Sequence, residues 1–199
     1  MINTLLQILI GSLQRMIRFF DLLLSISGII ILSPLIVIIT IIGFFDTGSP
    51  LFIQTRLGKH QKSFKLIKFR TMKVGAAQVG THLASSHDIT VFGRFLRRTK
   101  LDELPQLINV IIGDMSLVGP RPGLPTQIEL KNERERRKVF DYKPGITGLA
   151  QVNEVDMSTP KKLSKFDALA LKKLNLCWYF QLLFTTAIGK GQGDRVKNK

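Results

Sequence analysis

The chain opens with one uninterrupted apolar run. Leu22 to Phe45 reads LLLSISGIIILSPLIVIITIIGFF, 24 residues without a charge, bounded by Asp21 and Asp46. At about 1.5 Å per residue a helix of this length could cross a hydrocarbon core of about 30 Å. Beyond it the pattern changes. Gly48-Ser49-Pro50 marks a turn, and LFIQT (51–55) and FKLIKF (64–69) predict two short strands forming a small hairpin. The stretch 74–90 is small, polar and aperiodic, as expected of a loop over an active face. In VFGRFLRRTK, Phe92, Phe95 and Leu96 share a helical face opposite Arg94, Arg97 and Arg98.

A second helix follows. Leu104, Leu107, Ile108, Ile111 and Ile112 form a stripe that ends at Gly113, and Pro105, tolerated only in a first turn, fixes its start. Asp102 and Glu103 therefore lie at or just before a helix N-terminus. Residues 129–138 (ELKNERERRK) alternate in sign and read as a solvated helix face. Lys161 to Ile188 reads as one long helix. Its CWYFQLLF stretch is too short to cross a membrane; Trp178 and Tyr179, with nearby lysines, fit a helix in the headgroup region, and an ordinary core helix is the competing reading. The expected fold class is mostly α (α+β). Residues 1–46 form an N-terminal segment and a membrane hairpin, and 47–199 a cytosolic domain of interfacial helices around a compact centre.

Two features bear on how the apolar run sits. Ser33-Pro34 falls at its middle, where proline removes a donor and predicts a break or kink. Basic residues also flank both ends: Arg15 and Arg18 before it, Arg56, Lys59, Lys62 and Lys65 after it. A crossing helix should have one flank poor in Lys and Arg. Both flanks on the cytosolic side imply a hairpin that dips in and returns; a simple span is the competing reading. The run is longer than the apolar region of a secretory signal and lacks a cleavage site of small residues.

The whole sequence holds 29 Lys and Arg against 14 Asp and Glu, a net charge of +15. Residues 51–100 contribute eleven basic groups and one acidic. A nucleic-acid binder would interleave aromatics with these cations on an exposed platform, whereas Phe92 and Phe95 are expected on an apolar face. No nucleic-acid partner is expected. With 45% hydrophobic residues the chain is not disordered. The single Cys177 excludes an intramolecular disulfide and is expected to be a buried small apolar side chain. His60, His82 and His87 lack metal-ligand spacing.

The candidate chemistry is the acidic pair just after this basic window. At a helix N-terminus an aspartate is stabilised in its ionised form, and Asp102 can act as a nucleophile without a base. Carboxylates attack phosphorus in aspartyl-phosphate chemistry, which needs cations on the phosphoryl oxygens. Glu103 is placed to be a Mg²⁺ ligand, and Lys68, Arg70, Arg94, Arg97, Arg98 and Arg121 are candidate phosphate contacts. The plainer alternative is capping, since Thr99-Lys100-Leu101-Asp102 has the form of a capping box.

KFRTM (68–72), GRFLRRTKLDELPQLINVIIGDMSLVGPRP (93–122) and KPGITGLAQV (143–152) resemble the bacterial sugar transferases, the monotopic phosphoglycosyl transferase family. The likeness runs from about Arg18 to Gln151. It implies attack by an aspartate on the β-phosphate of a UDP-sugar, loss of UMP, and transfer of the phosphosugar to a polyprenyl phosphate at the cytosolic face of the bacterial inner membrane. Asp102 then corresponds to the nucleophile and Glu103 to the Mg²⁺ ligand, with Lys68, Arg97 and Arg121 on positions for phosphate or nucleotide. Ser33-Pro34 matches the break of a re-entrant membrane hairpin. Anionic lipids and downstream glycosyltransferases are expected partners, and a non-catalytic scaffold of a glycan assembly complex would lack the acids. Leu149 replaces a frequent Trp, Glu154 a Gly and Gln181 an acid, and Asn153 to Leu171 is a variant segment. These departures bear on sugar identity rather than on the reaction.

Overall fold

The computed structural model describes residues 2–76 and 85–188, with the backbone alone for 2–10. Residues 77–84, within the expected loop over the active face and including His82, lie outside them. Helix α1 (Ile2–Thr47) leads into strands β1 (Leu51–Leu57) and β2 (Ser63–Phe69), then α2 (Val91–Thr99), α3 (Gln106–Ile112) and β3 (Ser116–Val118). Helix α4 (Ile128–Arg136), β4 (Gly145–Thr147), α5 (Leu149–Val152), α6 (Pro160–Lys172) and α7 (Leu176–Ala187) complete the order. The mostly α class with its small hairpin is borne out: β1 and β2 pair antiparallel, with Leu51 opposite Phe69 and Leu57 opposite Ser63. A second sheet was not foreseen. Its strands β3 and β4 are parallel, with Ser116 opposite Gly145, and KPGITG is thus part strand.

Of the break or kink expected at Ser33-Pro34, no break is seen: α1 stays helical from Ile2 to Thr47 with Pro34 inside it. The reason is local. Pro34 cannot donate to the carbonyl four residues earlier, that of Ile30, and the Ser33 hydroxyl donates to this carbonyl instead at 2.8 Å. In hydrocarbon such a substitute matters, because an unsatisfied carbonyl there costs several kcal/mol. Much of α1 is bare: Ile30, Ile31, Val37, Ile38, Phe44 and Phe45 are all exposed large apolar side chains. An apolar surface of this extent on one helix exceeds what soluble monomers usually leave open.

Both ends of the apolar run are fastened to the rest of the protein. At the start, the buried Asp21 carboxylate accepts from the Ser116 hydroxyl (3.0 Å), Leu117 N–H (2.9 Å) and the Tyr179 hydroxyl (2.8 Å). At the end, Asp46 accepts from the Thr90 hydroxyl at 2.6 Å. The main core joins Ile17 of α1 to Phe64, Leu66, Val110, Met115 and Tyr179. A second cluster unites Leu130, Ala150, Val155 and Leu163 beneath α4, α5 and α6. In the third, Ile39 of α1 meets Phe69 and Leu96.

Several local expectations are corrected. Residues 161–188 form two helices, not one, because Asn175 caps α7 by accepting from Trp178 N–H at 2.9 Å. Tyr179 is buried on Asp21 rather than placed among headgroups, and α7 instead exposes Phe180 and Phe184, with Ile188 exposed just after it. Cys177 is exposed, on the side of α7 away from the buried Tyr179 and Leu182. Helix α3 turns Asn109 and Val110 inward, while Ile108 and Ile112 of the predicted stripe are exposed. Asn109 earns its burial by treating the edge of β2 as a strand would: its amide donates to Lys65 C=O at 2.7 Å and accepts from Ile67 N–H at 3.0 Å. The alternating charges of α4 are not all solvated either, for Glu133 and Arg134 are buried.

Candidate active site

Asp102 and Glu103 sit on a single 3₁₀ turn, Leu101–Glu103, between α2 and α3. Lys100 precedes it in the left-handed conformation (φ 60°, ψ 13°), reversing the chain as α2 ends. The capping alternative is not realised: the Thr99 hydroxyl donates back to Phe95 and Leu96 carbonyls within α2, and Lys100 makes no side-chain cap. Pro105 lies just before the first residue of α3, and Gly113 closes that helix at φ 104°, as the sequence predicted.

The acids are buried, with Asp102 only 1% exposed. Leu101 and Leu104, on either side of them, pack on the Ile39, Phe69 and Leu96 cluster together with Leu35 and Ile36. The acidic turn is thus seated directly on the second half of the apolar helix. Strand β2 and α2 also contact this turn, bringing the Lys68 and Arg97 segments beside it. Arg97 donates from Nε to the Thr71 hydroxyl at 2.8 Å. The crossing of α2 over this segment is close: a Cβ on Gly93 would lie 2.1 Å from the Thr71 carbonyl oxygen. Lys68 is buried, with its ammonium 5.7 Å from the centre of the Phe52 ring.

Arg121 reaches Glu103 directly, Nη2 to Oε1 at 2.9 Å. Its backbone is held from several directions. Arg134 donates to the Arg121 carbonyl at 2.8 Å, Arg56 to the Pro122 carbonyl at 3.0 Å, and Gly145 N–H to the Pro120 carbonyl at 2.9 Å. Gly145 is required here because an added Cβ would fall 2.0 Å from Gly119 N. Arg134 is fixed in turn by a buried ion pair with Asp167, 2.8 Å long. Burial pushes the Asp167 carboxyl above the usual carboxylate range, with the Arg134 charge and hydrogen bond opposing it.

Of the residues expected at the site, Asp102, Glu103 and Arg121 are brought together, with Lys68 and Arg97 on the neighbouring elements. Arg70 is directed elsewhere. Its guanidinium donates to the Ser49 carbonyl (2.8 Å) and the Leu51 carbonyl (3.2 Å) and stacks over Phe52, clamping the turn from α1 into β1. Arg94 and Arg98 are exposed. Asp21, Asn109, Arg134 and Asp167 were not anticipated, since each takes its role from a partner far away in sequence. As for a metal, no cluster of three or more His, Cys, Asp or Glu side chains exists among the described residues. An adjacent carboxylate pair fits Mg²⁺, which takes one or two protein carboxylates and completes its shell with phosphate oxygens and water.

A helical domain seated on one long apolar helix, with an acidic pair at the junction and an arginine clamped onto it, matches one family along most of its length. The chain belongs to the bacterial sugar transferases, whose family model matches residues 13–190. It is 43% identical over 137 residues to an uncharacterized sugar transferase, EpsL, of Bacillus subtilis (strain 168), covering 68% of this chain and 67% of that one. It is 37% identical over 194 residues to an undecaprenyl-phosphate galactose phosphotransferase of Salmonella typhimurium, covering 85% of this chain and 39% of the relative. Against a UDP-glucose:undecaprenyl-phosphate glucose-1-phosphate transferase of Escherichia coli (strain K12) the identity is 36% over 180 residues, covering 83% and 38%. The chain thus spans about two fifths of the length of the latter two relatives.

Proposed function

We propose that this protein transfers a sugar 1-phosphate from a UDP-sugar to a polyprenyl phosphate, a reaction of the kind that the names of its relatives describe for them, and that it does so at the cytosolic face of the bacterial cytoplasmic membrane. The observation that carries this reading is the buried Asp102-Glu103 turn, engaged by Arg121 and resting on the apolar helix. One substrate is a soluble nucleotide and the other has its phosphate fixed at the headgroups, so the reacting carboxylate must work next to that plane.

In the proposed reaction an Asp102 carboxylate oxygen attacks the β-phosphorus of the UDP-sugar. A bond forms from this oxygen to phosphorus, the bond from the bridging oxygen to the β-phosphorus breaks, and UMP leaves with that electron pair. A phosphate oxygen of the polyprenyl phosphate then attacks the same phosphorus, restoring the carboxylate and giving a polyprenyl diphosphate sugar. Arg121 lies where it can pair with a phosphoryl oxygen, and its rigid backbone means that little reorganisation is needed. Because Asp102 is buried, the donor must displace neighbouring side chains as it binds. Mg²⁺, when held by Glu103 with or without Asp102, supplies charge neutralisation at the diphosphate.

The attachment of both Asp21 and Asp46 to one domain supports a monotopic placement. A straight helix of this length separates its ends by roughly 37 Å, and a crossing would require the domain to accompany it across the bilayer. The test uses the purified full chain with a panel of UDP-sugars and a polyprenyl phosphate, reading UMP release. Asp102→Asn should abolish release and any aspartyl-phosphosugar adduct seen by mass spectrometry. Retained turnover in that variant, or full activity in EDTA, would overturn the nucleophile or the metal assignment respectively.

A further inference from the structure

At the far end of α3 from the acidic pair lies a second concavity of about 420 Å³, walled by α1, β3 and the end of α6. Seven residues of α3, about 10 Å, separate the two places. Four cations line it: Arg15 and Arg18 from α1, Lys59, and Lys143. Arg18 closes the last turn of α3, donating to the Val110 carbonyl at 2.6 Å and the Ile111 carbonyl at 2.9 Å. A methyl group added to Gly113 would be 3.6 Å from both Arg18 Nη2 and Lys143 Nζ, so these nitrogens sit within twice that distance of each other. Among the described residues none of the four is ion-paired with a carboxylate.

The acids nearby do not balance them. Asp21 and Asp141 line the concavity, and Asp114 lies close enough to act on Lys143. The Asp21 oxygen Oδ1 already serves Ser116, Leu117 and Tyr179. Burial, then the neighbouring charge of Arg18, holds the Lys143 ammonium below the usual lysine range, with Asp21 opposing and Lys59 reinforcing this. Like charges gathered in a partly desolvated place are stabilised by an anion.

We propose that this concavity binds the phosphate headgroup of an anionic membrane phospholipid, with the phosphate between Arg15, Arg18, Lys59 and Lys143. Three features favour a lipid over a free phosphate. Arg15 and Arg18 precede Leu22, where the apolar run begins, by only seven and four residues, so the cations border the surface that meets lipid. Ile17, Val118, Leu171 and Leu174 supply apolar wall for glycerol and acyl carbons. The volume is also several times what a phosphate group needs. The proposal rests on the membrane placement of α1 and is independent of the transfer chemistry.

The experiment uses Trp178, the only tryptophan. It lines a small adjoining cavity together with Leu171 and Leu174, which also border the concavity. The full chain is reconstituted in phosphatidylcholine vesicles containing 5 mol % of either phosphatidylglycerol or phosphatidylcholine with brominated acyl chains. Brominated phosphatidylglycerol should quench Trp178 emission at least twofold more strongly. Lys59→Glu, at a half-buried position on the turn Lys59–Gln61, and Lys143→Gln should each reduce this preference toward none. Equal quenching by the two lipids in the wild type, or an undiminished preference in both variants, overturns the proposal. Loss of the preference on adding 20 mM inorganic phosphate would make the ligand a soluble anion and overturn the lipid assignment. Failure of the protein to float with any vesicle would overturn both this proposal and the membrane placement, whereas flotation with equal quenching overturns the headgroup site alone.

Discussion

Arg134 and Asp167, 33 residues apart and each 3% exposed, form an ion pair at 2.8 Å, and the same guanidinium donates to the Arg121 carbonyl. The pair locks α4 to α6 and the loop of Arg121 to both. A buried charge left without its partner costs about 3–5 kcal/mol. Asp167→Asn or Arg134→Met should therefore lower stability by about that much in denaturant unfolding of detergent-solubilised protein. The double replacement Arg134→Met with Asp167→Leu should recover most of the loss, because the pair's desolvation cost vanishes with it. A double variant as unstable as either single one would show that the pair contributes something that apolar packing cannot replace.

The Arg121 side chain should be separable from the fold of its loop. Its loop is held by backbone carbonyls that Arg56, Arg134 and Gly145 engage, and none of these bonds needs the Arg121 side chain. Arg121→Ala should leave this loop in place, but it strips the buried Glu103 carboxylate of its ion-pair partner and should cost about 3 kcal/mol in thermal unfolding, which Arg121→Ala with Glu103→Gln should largely recover. If its guanidinium stabilises phosphoryl charge, turnover should fall by about 10²-fold or more. Arg121→Lys should recover only part of this, since an ammonium cannot reproduce the planar fork. Turnover near wild type in folded Arg121→Ala would make its role structural.

The acidic turn was legible because its signals are local: Pro105 and Gly113 delimit α3 within a dozen residues. The β1–β2 hairpin was likewise announced by two strand-like stretches close together. The features missed are those set by distant partners. Arg134 looks like any member of a solvated charge run until Asp167 of α6 is placed against it. Tyr179 looks like a headgroup aromatic until its hydroxyl finds Asp21, 158 residues away. Strands β3 and β4 have three residues each, too few for a period-2 pattern. Arg70 shows the converse, since a basic residue expected to contact phosphate is consumed by the turn that precedes β1.

Asp21 predicts a pH dependence. Burial raises its carboxyl above the usual range, against the lowering effects of the Leu117, Tyr179 and Ser116 hydrogen bonds and the Arg18 charge. A carboxyl with a raised folded-state pKa costs nothing below the unfolded value, where both states are protonated. The cost of ionising it appears as pH rises through the usual carboxylate range and is complete above the folded value. Asp21→Asn retains an acceptor for all three donors and cannot ionise. The variant should match wild type near pH 4 and gain relative stability as pH rises, measured by unfolding across pH 4–8. Asp21→Leu, which strands three buried donors, should be destabilised at every pH.

The topology of α1 gives the last test, and it must take account of Cys177. That thiol is exposed and would report on its own, so Cys177→Ser is the starting background. A cysteine at position 5 then lies ahead of Arg15 and Arg18, and one at Ser63 lies in the hairpin beyond the apolar run. With both ends of the run tied to one domain through Asp21 and Asp46, both positions should share a side of the membrane. In intact spheroplasts a membrane-impermeant maleimide should label neither Leu5→Cys nor Ser63→Cys, and lysis should expose both. Labelling of Leu5→Cys alone before lysis would mean that α1 crosses the bilayer, and the monotopic placement would fall with it.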